Sequence, residues 1–198
     1  NGTLLANGHQ IIEAFPHKIQ ISLHSQEGNG REYPVEYVRE VMTFAGEAAS
    51  KGILVVLRLW NQGGYDHAND IILDWIAQYQ PRPWTERHDG WKLSENLYVE
   101  YDRMFEWPDS ERDEYEEVDV FCYALRNQIG VLVDGSVVPC CLDHNGDITL
   151  GNLFKQSLDD ILASLRAQML YDGFTRHVAN EPLCRRCGYA METKRYRR

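Results

Sequence analysis

Residues 19–24 alternate strictly. Ile19, Ile21 and Leu23 occupy one parity and Gln20, Ser22 and His24 the other, the period of a strand with one buried face. Gly28, Asn29 and Gly30 predict a loop after it. Pro34 suits the first turn of a helix in which Val35, Val38, Met42, Ala45 and Ala49 recur at helical spacing, and Gly52 ends it. From Ile53 to Leu59 the chain is apolar except for Arg58, as in a parallel-sheet strand covered on both faces. A second helix is predicted over 66–80, with Ile72, Trp75, Ile76 and Tyr79 as its buried stripe. Pro81 and Pro83 break the pattern. Alternation then resumes over 96–104, with Leu97, Val99 and Tyr101 opposite Tyr98, Glu100 and Asp102. Strand, helix, strand, helix, strand predicts parallel β/α units. Three such strands cannot close a barrel, so the expected fold class is α/β: the second half of a (β/α) barrel, followed by a small α+β cysteine-rich domain.

That second part opens on a different pattern. Residues 131–138 place two β-branched runs around Asp134-Gly135, a strong hairpin signal. Cys122 precedes the outgoing strand and Cys140 closes the returning one, so the turn carries both thiols to one end. Gly151-Asn152-Leu153 predicts another turn. Ser157, with Asp160 three residues on, is an N-cap for a helix expected to bury Leu158, Ile161, Leu162, Leu165 and Met169. A loop through Pro182 then delivers Cys184 and Cys187. A Cys-x-x-Cys pair chelates from a single turn, and a second pair completes a four-thiolate shell for either zinc or an iron–sulfur cluster. One hairpin, one helix and a thiolate site with little core is the anatomy of a metal-stapled domain. Cys141, beside Cys140, cannot point the same way along a strand; it reads as a small buried residue, with alternative ligand as the other reading. Asp143, before His144 and Asn145-Gly146, reads as a turn cap.

Composition narrows the class. The 198 residues are 43% hydrophobic and 25% charged, which is globular rather than disordered. No apolar run is long enough for a membrane span and no signal-peptide pattern is present, so a soluble cytoplasmic protein is expected. Five cysteines without a secretory signal favour a metal site over disulfides. The net charge of −10 argues against nucleic acid or an anionic membrane as partner. Residues 106–119 hold eight acids against Arg112 alone, which predicts a solvated connector, a substrate-facing acidic rim being the alternative. The basic stretch 185–198 reads as a frayed, solvated tail, docking onto a partner being the alternative. The expected division is therefore a half barrel over 1–105, an acidic linker over 106–121 and a metal-binding domain over 122–198. In β/α barrels the functional groups sit at the C-terminal strand ends. Ser22, His24 and Ser25 end the first strand; Arg58, Trp60 and Asn61 end the next. A guanidinium in an apolar strand needs an anion or carbonyl groups beside it, and Glu100 is a neighbouring acid.

Taken together, Asn1-Gly2-Thr3-Leu4-Leu5, Ile21-Ser22-Leu23-His24 and the cysteine half resemble a radical S-adenosylmethionine enzyme with a C-terminal SPASM or twitch auxiliary domain. That family writes its cysteine half as Cys, nine to fifteen residues, Gly, four residues and Cys, then a Gly-Asn-Leu turn, a helix and Cys-x-x-Cys. This chain matches at Cys122, Gly135, Cys140, Gly151, Asn152, Leu153, Cys184 and Cys187. It departs in two places. The family's defining Cys-x-x-x-Cys-x-x-Cys is absent, and the chain begins at Asn1 without Met, so an N-terminally truncated chain is expected. No cysteine follows Cys187, so a single auxiliary cluster is expected, as in twitch-type domains.

The resemblance implies an auxiliary [4Fe-4S] cluster on Cys122, Cys140, Cys184 and Cys187. It also implies S-adenosylmethionine bound in the barrel by Ser22 and Ser25, with Arg58 for its carboxylate or for the substrate. A second [4Fe-4S] is expected only in the full-length protein, which would carry out a radical-based modification of a peptide or small-molecule substrate. An electron donor such as flavodoxin or ferredoxin is implied as partner, and Asp143 becomes a candidate proton acceptor. The competing class is a structural zinc domain in a non-enzymatic binding protein.

Overall fold

The computed structural model describes residues 2, 5, 8–23, 35–64, 66–113 and 119–195. His24, Ser25, the Gly28–Gly30 loop and Pro34 lie outside them. The chain divides into two compact units, Asn1–Met104 and Phe105–Arg198.

The first unit carries helix α1 (Gly8–Glu13), strand β1 (Lys18–Ser22), helix α2 (Val35–Ser50), strand β2 (Leu54–Gln62) and helix α3 (Asn69–Ala77). Strands β3 (Thr85–Arg87), β4 (Gly90–Ser94) and β5 (Leu97–Arg103) complete it. The sheet order is β1-β2-β5-β4-β3. As the hydrophobic pattern predicts, β1, β2 and β5 run parallel, with Ile21 opposite Leu57 and Leu57 opposite Val99. One face, formed by Ile21, Val55, Leu57, Leu59, Leu97 and Val99, is buried in a common core with Val38, Met42, Ala45, Ile72 and Ile76 of the two helices. The other face carries exposed Gln20 and half-buried Ser22, Arg58, Tyr98, Glu100 and Asp102. Val56 on that face is also buried, so β2 is covered on both sides only in part.

The hairpin β3–β4 departs from a pure β/α repeat. Both strands are antiparallel to their neighbours, so this half of the sheet ends on an antiparallel edge. Its signal was Asp89-Gly90, a hairpin dipeptide standing in the stretch read as a Pro-rich break. Gly90 is required there: its φ is +149°, and a Cβ would lie 2.1 Å from the Val99 carbonyl oxygen of β5. Gly90→Ala is therefore expected to cost about 2–3 kcal/mol of stability, read as a lowered urea midpoint with an unchanged m-value.

In the second unit, β6 (Gly130–Val131), β7 (Ser136–Val138) and β8 (Gly151–Asn152) form a three-stranded antiparallel sheet. The predicted hairpin turns at Gly135, whose φ is +82° and whose N–H donates to the Leu132 carbonyl at 2.9 Å. Ser157 caps α4 (Leu158–Leu162), its Oγ accepting from the Asp160 N–H at 3.2 Å. The expected single helix does not form. Ser164 caps a second one, α5 (Leu165–Thr175), by accepting from the Ala167 N–H. That restart shifts the helical phase: Leu165 is 75% and Met169 53% exposed, while Ile161, Ala167, Leu170 and Phe174 form the buried stripe.

Helices α6 (Pro182–Arg185) and α7 (Gly188–Arg195) follow. The expected frayed tail is thus helical through Arg195, because Ala190 is buried beside Val120 and Ala179. The described part of the expected linker also packs onto this unit. Phe105, expected in the half barrel, meets the Tyr189 ring edge-on at 5.2 Å, and the Glu106 backbone at the linker's start runs so close to Gly188 that a Cβ there would lie 2.4 Å from its carbonyl oxygen. Trp107, between two of the acids, stays exposed but sets its ring edge-on to His144 at 5.6 Å, a contact that charge counting hides. No helix among the described residues is long and apolar enough to cross a membrane.

Candidate metal centre

Each cysteine of the predicted set sits at a sharp change of chain direction. After Cys122 the chain doubles back, with Ala124 bridged to Gln128 and the Leu125 N–H donating to the Gln128 carbonyl at 2.9 Å. Cys140 lies two residues beyond β7, where its carbonyl accepts from the Asp143 N–H at 3.3 Å. Cys184 lies in α6, which starts at Pro182. Cys187 immediately precedes α7, and its carbonyl accepts from the Met191 N–H at 3.2 Å.

The four thiols are unbridged and half-buried, and they share surroundings. Cys122, Cys140 and Cys184 pack against a cluster containing Val137, Ile148, Ile161, Leu170 and Phe174. Cys122 and Cys184, with Cys187, also pack against Val120, Ala179 and Ala190. Burial pushes all four thiols above their ordinary range: Cys140 to about 12, Cys187 to about 11, and Cys122 and Cys184 upward. Mutual repulsion adds to this, since ionised Cys122, Cys140 and Cys187 would each oppose ionisation of Cys184. Three of the sulfurs also receive backbone N–H groups, which favour the thiolate. Ala124 donates to Cys122 Sγ at 3.4 Å; Leu142 and Asp143 serve Cys140; Tyr189 and Ala190 serve Cys187. Helix-start N–H groups around a thiol are a common device for holding a thiolate.

The metal-free protein therefore has a defined pH dependence. Unfolded thiols ionise near their ordinary 9.0, whereas folded Cys140 and Cys187 keep their protons to about 12 and 11. Between pH 9 and 11 the unfolded chain releases protons that the folded one retains, so stability present below pH 9 falls as pH rises. Each thiol costs about 1.4 kcal/mol per pH unit in that window. Urea melts of metal-free protein should show this decline, and metal-loaded protein, whose thiolates carry no proton, should not.

Among the described residues, no three His, Cys, Asp or Glu side chains come close enough to clasp one metal ion. A tetrahedral zinc site with Zn–S bonds near 2.3 Å needs sulfurs about 3.8 Å apart. The thiols nonetheless lie within electrostatic reach of one another.

The Cys-x-x-Cys turn holds one further feature. Its two arginines are treated differently. Arg185 is braced, with Nε donating to the Ala179 carbonyl at 2.8 Å and an Nη to that of Asn180 at 3.4 Å. Arg186 has a buried Nε with no hydrogen-bond partner. Unbridged thiols and N–H groups on three of the sulfurs suit an anionic, sulfur-rich group. The residues fit a thiolate-held iron–sulfur cluster.

Asp143 is 2% exposed, and its two oxygens accept from the N–H groups of Asp147 at 2.8 Å and Ile148 at 2.9 Å. It caps the loop that follows Cys140, the arrangement read from Asn145-Gly146. Arg166 clamps Glu181 through Nε at 2.8 Å and an Nη at 3.0 Å, fixing the approach to Cys184. Cys141 corrects an expectation: it is exposed, because the chain turns Cys140 inward and so turns its neighbour out.

Residues 122–188 match the SPASM iron-sulfur cluster-binding domain. This domain is found in radical S-adenosylmethionine enzymes. Comparison with curated proteins and with solved structures returns no match. All four cysteines of the predicted set fall inside the SPASM segment. What the sequence did not announce is the set of backbone N–H groups directed at three of the sulfurs.

In the first unit, Ser22 ends β1 directly opposite Arg58. Arg58 donates to Asp102 Oδ2 at 3.1 Å. The expected partner Glu100 is its register neighbour, but the long side chain leans along the strand to the next acid on the same face. Asn61, 3% exposed, exchanges amide hydrogen bonds with Asn69 at 2.6 and 3.1 Å, which accounts for it structurally.

Proposed function

We propose that this chain is the C-terminal part of a radical S-adenosylmethionine enzyme, with an auxiliary [4Fe-4S] cluster on Cys122, Cys140, Cys184 and Cys187. The observation that carries the reading is the set of four unbridged, mutually repelling thiols inside the SPASM segment. The cluster, when bound, supplies one-electron transfer. The chain's own residues bury its ligands, direct backbone N–H groups at three of the sulfurs and so set its potential. Asp143, whose oxygens are engaged by its loop, serves here by holding that loop beside Cys140.

In this reading β1, β2 and β5 are the last strands of the barrel, and the β3–β4 hairpin is an insertion that occupies the edge of β5. Two features support it: the helices α2 and α3 share one face of the sheet, and the polar groups share the other. Ser22, Ser25 and Arg58 bind S-adenosylmethionine or substrate, with Asp102 orienting the guanidinium. The initiating [4Fe-4S] is supplied by sequence upstream of Asn1, electrons come from a flavodoxin or ferredoxin, and the substrate is a peptide or small molecule in the cytoplasm.

The test joins this chain to the coding sequence upstream and incubates the reduced protein with S-adenosylmethionine. Formation of 5′-deoxyadenosine, strongly diminished in Arg58→Ala, is expected. An upstream sequence without Cys-x-x-x-Cys-x-x-Cys, or no 5′-deoxyadenosine from fully loaded protein, contradicts the enzymatic reading.

A further inference from the structure

Among the described residues, every buried or half-buried carboxylate has a partner except one. Asp102 meets Arg58, Glu181 meets Arg166, and Asp143 takes two backbone N–H groups. Half-buried Glu100 has neither a hydrogen bond nor an ion pair among the described residues. Its place is fixed by the sheet. Glu100 stands in β5 on the polar face that also carries Ser22, Arg58 and Tyr98, and the register puts Arg58 of β2 on one side of it and Gly90 of β4 on the other. Gly90 brings no side chain to meet it and admits none, since a Cβ there would lie 3.1 Å from the Glu100 Cα. The cations beside it in the sheet are engaged elsewhere. Arg58 leans past Glu100 to Asp102 at 3.1 Å, and Lys92, opposite Tyr98, holds its Nζ 5.9 Å from the centre of that ring. A carboxylate drawn partly out of water, with its neighbouring cations committed to other groups, is an acceptor for a cation brought from outside.

We propose that Glu100 receives a cationic group of the substrate, an ammonium or a guanidinium, on the sheet face it shares with Ser22 and Arg58. This rests on the reading of that face as the surface that binds S-adenosylmethionine or substrate. An ammonium or guanidinium N–H donating to a carboxylate makes a short, charge-assisted hydrogen bond, stronger than one between neutral groups. A neutral group of the same shape forfeits that gain, and an anion at the same place meets a like charge. Arg58, oriented by Asp102, remains the group for an anionic partner. Glu100 therefore sets specificity and takes no part in the bond-breaking step.

The experiment titrates the isotope-labelled 198-residue chain with cationic probes and follows its backbone amides by NMR. The probes are butylammonium, butylguanidinium, N-acetyl-lysine amide and N-acetyl-arginine amide, with N-acetyl-glutamine amide and N-acetyl-glutamate amide as the neutral and anionic comparisons. The cations are expected to shift the amides of β5 and to bind about tenfold more tightly than the neutral probe. Glu100→Gln, which keeps the shape and removes the charge, is expected to abolish that preference. Glu95→Gln, the same change at an exposed position between β4 and β5, is expected to preserve it. Glu100 has no partner in the folded chain, so Glu100→Gln should melt in urea like wild type, and lost binding is then not lost fold. Tighter binding of the amino-acid amides than of the bare cations assigns the group to a peptide, and equal binding assigns it to a small molecule. Equal binding of cationic and neutral probes overturns the proposal, and so does a preference that survives Glu100→Gln. No binding of any cation, as when Lys92 closes on Glu100 in solution, overturns it too. Formation of 5′-deoxyadenosine by the joined chain judges the enzymatic reading separately. Its absence beside an intact cation preference removes the substrate role and leaves the cation site; its presence without that preference removes the role of Glu100 alone.

Discussion

Cys184→Ser is expected to abolish cluster binding while leaving the metal-free fold nearly intact. Cys184 packs with both hydrophobic clusters around the site, and each of the other three cysteines raises its thiol. It is the member through which the set is most tightly joined. Serine keeps the volume and supplies no soft thiolate, so iron loses one of four ligands. Second-sphere changes already cost 10–100-fold in metal affinity, and loss of a ligand is expected to cost more than about 100-fold. In the metal-free protein the buried thiol is neutral, so the substitution should move stability by no more than about 1 kcal/mol. The stabilisation linked to metal disappears in the variant, because a group that binds only the native state adds to stability in proportion to its binding. Iron and sulfide content, with thermal melts of loaded and metal-free samples, reads both effects. Cys141→Ser is the internal control: its side chain is exposed and its loading should match wild type. A Cys184→Ser protein with wild-type iron, or a Cys141→Ser protein that loses it equally, contradicts the assignment of ligands.

Phe174→Ala carries the second large effect. Phe174 is fully buried at the end of α5, in the cluster formed by Val137, Ile148, Ile161, Leu170 and Leu183 and flanked by Cys122, Cys140 and Cys184. Emptying such a site removes the transfer free energy of a phenyl ring and leaves a cavity, about 3–5 kcal/mol in all. The second unit has a small core, and that loss is a large part of the roughly 5–15 kcal/mol that holds a domain folded. The metal-free variant should therefore unfold at much lower urea than wild type, and added iron and sulfide should restore part of the difference. A shift below about 1 kcal/mol would mean that this aromatic ring is not the keystone between the helix and the thiol-bearing turns.

The fold was legible where one periodicity ran long enough to dominate. The alternation from Ile19 to Leu23 and from Leu97 to Asp102, and the helical spacing from Val38 to Ala49, each predict the observed element and its buried side. The hairpin β3–β4 escaped because its strands are short and follow Pro81 and Pro83 closely, leaving Asp89-Gly90 as the principal cue. The break between α4 and α5 escaped for a different reason. Ser164 reads as an ordinary polar residue on a helix, yet as a cap it restarts the helix and rotates Leu165 and Met169 outward. At the site, cysteine spacing singles out four thiols that the structure leaves unbridged and packed against two shared apolar clusters. Spacing is silent on the backbone N–H groups that serve them, on the engagement of Asp143 by its own loop, and on the contrast between Arg185 and Arg186. Those depend on which way a turn folds, and turns are set by a few local dihedral choices that composition does not record.

The measurement that bears most directly on the central claim is elemental analysis of the chain purified without oxygen. About four irons and a matching amount of acid-labile sulfide per chain are predicted, lost together on replacing any of residues 122, 140, 184 or 187. One zinc per chain with no sulfide would contradict the account, and would make the second unit a structural zinc domain.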